Sequence, residues 1–356
     1  MIKSFEVKNL NGKISDKFIF NEDLNILTGK NGCGKTTIMK LMWYLVSGNY
    51  DKIFDEMYFE YAKMELVEGG IIIIAVSGEN PNKLIKVDIS NPIKKIDYKT
   101  EIPFESFEGL PRYQTTESSL FFPTFRRIEG GFTITSSVVH RSRMRRNSLR
   151  EGLDAVSENL TTGFNHKFIA SLSTEDINYL LSNKYADISE EIRRLEANQS
   201  KTILDLVANS QEKEKESLED IRNIVKENDS KRNEILRPFN VLSGLVNRIF
   251  KEKSIKISNN LELGEAKEAI FSDKLSAGEK QMLSFLCYNF FFDNSVIFID
   301  EPELSLHTDW QRVLFPTLLK QKKQNQFIIA THSPFIYSKY PEKEIVINED
   351  KGNNNG

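Results

Sequence analysis

Gly29-Lys30-Asn31-Gly32-Cys33-Gly34-Lys35-Thr36 fills every position of the pattern GxxxxGK(S/T). The chain enters this stretch through Leu24, Ile26 and Leu27. It leaves through Ile38, Leu41, Met42 and Leu45, which recur at helical spacing. Strand, Gly-rich loop and helix is the context in which the pattern binds phosphate. Glycines let successive backbone N–H groups turn inward on an anion, and the following helix adds the positive end of its dipole. In such a loop Lys35 neutralises the β- and γ-phosphates, the Thr36 hydroxyl coordinates magnesium, and Thr37 meets the α-phosphate side. Read alone, the same residues could form an ordinary Gly-rich turn before a helix.

Three further stretches bear on that choice. Ser295-Val296-Ile297-Phe298-Ile299-Asp300-Glu301-Pro302 is an apolar strand ending in two acids. At the carboxyl end of a buried strand, Asp300 can hold magnesium through water and Glu301 can polarise an attacking water. Leu275-Ser276-Ala277-Gly278-Glu279-Lys280-Gln281 opens a helix. Ser276 with Glu279 three residues on is a capping box, and the same helix start can offer Ser276 and the Gly278 amide to a γ-phosphate. Ala330-Thr331-His332-Ser333-Pro334 follows another apolar strand and places His332 as a γ-phosphate sensor.

Composition limits the remaining classes. The 356 residues suit one large domain or two ordinary ones, with 39% hydrophobic and 28% charged side chains. A net charge of -3 excludes a uniformly basic nucleic-acid binder but not a local basic patch, such as Arg141, Arg143, Arg145, Arg146 and Arg150. Cys33 and Cys287 stand far apart without metal-ligand spacing, and the start is charged within three residues. A reduced, cytoplasmic, soluble protein is expected. The apolar runs near Ile71 and Leu283 fall short of the roughly 20 residues of a membrane span.

The organisation expected is α/β. Residues 1–28 alternate as short strands. From about Ile53 to Ile89 three strand-like runs form an antiparallel meander separated by Glu68-Gly69-Gly70 and Gly78-Glu79-Asn80-Pro81-Asn82. Residues 1–150 thus make an N-terminal half and 251–348 a C-terminal half with buried parallel strands at Val296–Ile299 and Phe327–Ala330. Between them, 151–250 reads as a helical insertion, and 349–356 as a flexible tail. From Ile188 to Leu236 there is no Gly, and Ile188, Ile192, Leu195, Leu218, Ile221, Val225 and Ile235 recur at near-heptad spacing. This segment forms either one helix on the order of 70 Å long or a short coiled-coil hairpin turning near Asn209-Ser210-Gln211.

In this order the motifs resemble the ABC-ATPase superfamily: Walker A, the signature LSAGEKQ, Walker B with its DEPE continuation, and the switch histidine. Pro302-Glu303-Leu304-Ser305-Leu306-His307 is similar to the DEPE-x-x-LH pattern of the OLD/AAA_15 group within the SMC- and RecF-like branch, and differs from the Ser-Ala-Leu-Asp continuation of transporter heads. The resemblance covers about residues 1–90 and 270–340. It implies an ABC head, a P-loop core sheet with an antiparallel β subdomain, and a homodimer or higher homo-oligomer in which ATP and Mg2+ are sandwiched between Lys35 of one copy and Ser276, Gly278 and Glu279 of another. Glu301 and His332 would then carry catalysis, with Gly29 to Thr37 and the signature binding nucleotide. Thr36, Asp300 and the Q-loop glutamine, for which Gln114 is the candidate, would hold the metal.

The resemblance further implies the ATPase subunit of a bacterial anti-phage system of the Septu, retron-linked or PARIS type, controlling a separate nuclease or toxin. OLD nucleases carry their nuclease domain after the switch histidine, where this sequence has about two dozen residues. The alternative is a DNA-clamping repair or recombination ATPase that uses the Arg141–Arg150 cluster on phosphates. No membrane partner is expected.

Overall fold

Alternation and continuous apolar runs sort the strands into two kinds of sheet. β1 (Ile2–Leu10), β2 (Ile14–Ile19), β4 (Tyr61–Leu66), β5 (Ile71–Ser77), β6 (Leu84–Asn91) and β7 (Ile96–Pro103) form one six-stranded sheet, ordered β2-β1-β4-β5-β6-β7 and antiparallel throughout. β4 and β6 bury every second residue, so one face there is apolar. β3 (Leu24–Thr28), β8 (Ser118–Phe122), β10 (His166–Phe168), β12 (Ser295–Asp300), β13 (Gln326–Ala330) and β14 (Glu344–Val346) form a parallel sheet, ordered β10-β8-β12-β13-β3-β14. β3, β12 and β13 are buried at every residue, as parallel strands covered on both faces must be. A short parallel pair joins β9 (Arg127–Ile128) and β11 (Ser171–Leu172). The computed structural model describes residues 1–78, 83–128, 155–161, 165–172, 174–209, 219–236, 276–321 and 323–347.

Helix α1 (Lys35–Ser47) follows the Gly-rich loop. Its apolar residues were expected on one face, yet Ile38, Met39, Leu41, Met42, Trp43, Tyr44, Leu45 and Val46 are all inaccessible to solvent. A helix that is apolar all round belongs inside. One continuous core contains α1 and residues of both sheets. The Trp43 ring lies 5.7 Å from that of Phe121 on β8 and 5.5 Å from that of Phe168 on β10. This packing seats the second half of α1 against the parallel sheet.

One expectation changes. The three-strand meander forms as β4, β5 and β6, but it starts at Tyr61, since the stretch around Ile53 is helix α2 (Tyr50–Glu56), and β7 adds a fourth strand to it in a stretch of low apolar content. Tyr50 and Ile53, three residues apart, are both buried, which is a helical rather than a strand spacing. Two compact units comprise Met1–Glu129, Thr133–Leu172 and Phe292–Gly356 in the first, and Gly130–Phe132 with Ser173–Phe291 in the second. Residues 166–172 belong to the first unit because β10 pairs with β8 and β11 with β9.

The second unit contains α3 (Thr174–Asn209), 36 residues and about 54 Å long. It is described as far as Asn209, and a further helical stretch covers 219–236. Ile188 is buried on α3 while Leu204 and Val207 are exposed. Helix α4 (Ala277–Phe291) packs on α3 within this unit. Helix α5 (Thr308–Lys320) and the short α6 (Pro334–Tyr337) lie in the first unit, after β12 and β13. The basic cluster Arg141 to Arg150, the turn at Ser210-Gln211, Leu275 and the tail 349–356 lie outside the described residues.

His166 on β10 gives this core a pH signature. The ring is fully buried, Nδ1 is 2.8 Å from Ser119 Oγ, and burial, followed by the charge of Lys94, pushes its pKa down to about 4. The unfolded chain takes up this proton near pH 6.5, the fold only near 4. Stability should therefore fall as pH drops through that window, by up to about 1.4 kcal/mol per pH unit from this group. Urea unfolding of the parent and of His166→Gln between pH 7 and pH 4 should show a shallower loss in the variant; equal slopes would sink the assignment.

Candidate active site

β3 delivers the chain to Gly29 at the carboxyl edge of the parallel sheet, and α1 begins five residues after Lys30. The loop has positive φ at Gly29, Gly32 and Gly34, and at two of these a Cβ would also collide. Gly29 has φ 146°, and a Cβ there would lie 2.7 Å from the Ile347 carbonyl oxygen and 2.8 Å from Cys33 Sγ. Gly34 has φ 97°, and a Cβ there would collide with the Ile14 side chain of β2. Cys33 N donates to Lys30 O at 3.2 Å, closing the loop as a tight turn. Gly34 caps α1 without a side-chain hydrogen bond, so the first-turn amides face outward as a ready anion site.

Lys35 is buried, and its Nζ donates to the carbonyls of Gly29 at 3.1 Å and Lys30 at 3.2 Å. The ammonium thus hangs across the loop. Lys30, Asn31, Gly32 and Thr36 are exposed, with Cys33 and Thr37 half-buried. The loop is open to a ligand along its length.

The acidic strand end lies opposite. β12 neighbours β13, and β13 neighbours β3, all in parallel, so the ends of β3, β12 and β13 share one edge. Thr36 Oγ1 donates to Asp300 Oδ2 at 2.7 Å. Thr124, just past β8, donates its hydroxyl to the same oxygen. Two hydroxyls and a carboxylate converging on one point form a hard oxygen donor set of the kind that suits magnesium. Among the described residues there is no cluster of three or more His, Cys, Asp or Glu that could hold a metal.

Glu301 follows in a left-handed conformation, φ 47°, and its N–H donates to Ala330 O at 2.8 Å. Burial, then the charges of Asp300 and Glu303, raise its carboxyl above the usual range, while His332 and Lys35 oppose the shift. A carboxyl raised in this way is suited to take a proton from water. His332 is exposed after β13, and its N–H donates to Glu303 Oε1 at 2.8 Å. Ser333 Oγ donates to Gln311 Oε1 at 2.5 Å, and Gln311 Nε2 donates to Leu306 O at 2.8 Å. Glu303 and Gln311 thereby tie the strand end bearing His332 to the loop after Glu301. The second glutamate of DEPE was the signal for this bond.

Gln114 is not brought to this edge. β8 runs parallel to β12 with Ser118 opposite Ser295 and Phe122 opposite Ile299. Gln114 precedes Ser118, at the strand beginnings, about 16 Å or more from the level of Asp300. Its carbonyl accepts from Lys94 Nζ at 3.1 Å. The residues that reach Asp300 from this part of the chain are Thr124 and Arg126, in a segment whose arginines the sequence left open to the nucleotide, a partner or the surface. Their signal lay in Phe122-Pro123-Thr124-Phe125-Arg126-Arg127, directly after the strand beside Walker B.

In the second unit, Ser276 N and Oγ donate to Glu279 Oε2 at 2.7 and 2.8 Å, and Glu279 N donates back to Ser276 Oγ at 3.3 Å. The capping box is formed. Ser276 is exposed and Gly278 half-buried at the start of α4.

The chain is similar to the retron Vc95 probable ATPase of Vibrio cholerae serotype O1 biovar El Tor, 24% identical over 94% of this chain and 70% of the relative. It is 33% identical to the retron Ec83 probable ATPase of Escherichia coli over 21% of this chain and 18% of that protein. With endonuclease GajA of Bacillus cereus it shares 29% identity over 33% of this chain and 25% of GajA. Among solved structures, the recombination mediator protein RecF matches with TM-score 0.34 at 12% identity, over 94% of each chain. The Smc head domain of Pyrococcus furiosus matches with TM-score 0.37 at 15% identity, over 95% of this chain and 91% of that one. Likeness at that level carries no argument about this chain. Residues 24–338 match AAA_21, described as "AAA domain, putative AbiEii toxin, Type IV TA system", where the motif pattern had suggested AAA_15. The matched span runs from β3 through α6 and contains the P-loop, Asp300, Glu301 and His332, and the chain belongs to this AAA_21 family as an ABC-type ATPase.

Proposed function

We propose that this chain is the ATP-hydrolysing subunit of a bacterial antiviral defence system, in which ATP-dependent association of two copies controls a separate nuclease or toxin. The observation that supports the ATPase chemistry is the bond from Thr36 to Asp300, which joins the phosphate loop to the acidic strand at 2.7 Å. The defence role is supported by the retron relative, which aligns with 94% of the chain.

In this reading the amides of the Gly29–Thr36 loop and the Lys35 ammonium bind the phosphates of ATP. Thr36, Asp300 and Thr124 hold magnesium, which supplies charge neutralisation on the phosphates when bound. Glu301 takes the proton of the attacking water, and His332 stands on the same edge as the γ-phosphate contact. Ser276, Gly278 and Glu279 complete the site from a second copy, so that one chain presents two half-sites. The position of α4 in the unit that also contains α3 makes that helical unit the part through which nucleotide state is relayed. Among the described residues no helix is long and apolar enough to cross a membrane.

Three outcomes test the reading. Lys35→Ala should weaken ATP binding roughly 100-fold, since its ammonium is the buried cation of the loop; fluorescent-nucleotide titration measures it, and parent affinity would remove Lys35 from the site. Glu301→Gln should retain ATP, accumulate a dimer on size exclusion with light scattering, and lose hydrolysis by about 100-fold or more. Turnover at the parent rate would mean the base lies elsewhere. Co-purification with the products of adjacent genes, with and without ATP, should yield a nuclease or toxin. Duplex DNA binding that depends on ATP and is lost on charge reversal of Arg141, Arg143 and Arg145, with no such partner, would favour the DNA-clamping alternative instead.

A further inference from the structure

We infer that Arg126 is a positioning residue for Glu301, fixing through the backbone the turn that aims its carboxylate. The inference rests on the reading of Glu301 as the base. Glu301 has φ 47°, a conformation that residues with a β-carbon rarely adopt, and it must be held there by its surroundings. The Arg126 guanidinium supplies a two-pronged hold. Nη1 donates to Asp300 O at 2.8 Å and Nη2 to Glu301 O at 3.0 Å, so one rigid plane spans two consecutive carbonyls. The Asp300–Glu301 peptide cannot rotate without breaking one prong.

The other contacts of the turn leave that task to Arg126. Glu301 N is bonded to Ala330 O at 2.8 Å, which anchors the turn to β13. Leu304 N reaches Glu301 O at 3.2 Å, closing the far side. Among the bonds described here, Arg126 alone holds the Asp300 carbonyl from outside the strand ladder. Arg126 is itself fixed, since Nη1 also donates to Pro123 O at 2.9 Å, and Thr124 beside it bonds the Asp300 carboxylate. Phe125 between these two anchored residues is 89% exposed, so apolar burial does not explain the loop's shape. The guanidinium keeps its charge: burial lowers its pKa only to about 10, against the opposing charges of Asp300, Glu303 and Glu301. A half-buried cation held on three neutral carbonyls, those of Pro123, Asp300 and Glu301, is a direct way to orient a turn.

Steady-state ATP hydrolysis and mant-ATP binding by the full chain decide the matter, using R126Q, R126K, E301Q and the double variant R126Q/E301Q. R126Q should lower kcat about 10- to 100-fold while the mant-ATP Kd stays at the parent value. R126K, able to reach one carbonyl, should recover part of kcat. In the double variant the rate should be no lower than in E301Q, because both changes disable the same group. Parent kcat in R126Q, or losses that multiply in the double variant, would overturn the inference. If R126Q gives no cooperative melt, R126K alone decides, reduced kcat at unchanged Kd upholding the inference and parent kcat overturning it. Failure of the underlying reading looks different: E301Q would then hydrolyse ATP at the parent rate.

Discussion

The carboxylate of Asp300 accepts hydroxyls from two sides, Thr36 at the start of α1 and Thr124 beyond β8, and its own strand β12 sits between them. Three elements from distant parts of the sequence are thereby held to one oxygen atom. The arrangement is possible only because β3, β8, β12 and β13 run parallel, so that each ends on the same edge of the sheet. Parallel strands need buried crossovers, and here α1, whose residues from Leu41 to Val46 are inaccessible to solvent, is part of one. The apolar core and the polar edge are two results of one constraint.

The parts of the site that were legible in the sequence are those where local pattern and chemistry coincide. The Gly-rich loop needs glycine where φ is positive, at Gly29, Gly32 and Gly34, and the fully buried strands β12 and β13 need unbroken apolar runs. The capping box at Ser276 and Glu279 was likewise readable, because both partners lie within one helical turn. What escaped was set by pairing between distant segments. Thr124 and Arg126 matter only because β8 lies beside β12, a register no local spacing encodes. Gln114 has the right side chain but stands at the wrong end of that strand. The stretch around Ile53 misled because two buried residues and a short apolar cluster suit a strand and a helix equally until the period is resolved. The pairing of β10 with β8 and of β11 with β9 was likewise hidden, since no local spacing encodes it.

Electrostatically, the edge is a crowded place. Asp300, Glu301 and Glu303 stand within four residues of one another, faced by Lys35, Arg126 and His332. Hydrogen bonds spread this charge: Asp300 takes hydroxyls, Glu303 takes the His332 amide, and Lys35 gives to carbonyls. Glu301 is left with its carboxyl raised by burial and by its acidic neighbours. Its ability to accept a proton thus arises from the company it keeps.

The position of β3 has a consequence for how the chain is made. This strand, residues 24–28, is flanked by β13 at 326–330 and by β14 at 344–346. Its backbone can be paired on neither side until some 300 further residues have left the ribosome. A nascent chain therefore presents the entrance to its nucleotide loop long before it can support it, with Leu24, Ile26 and Leu27 lacking their strand partners. Acquisition of the nucleotide site waits on the synthesis of β13 and β14, and translation products that stop before them carry the loop's sequence without its sheet.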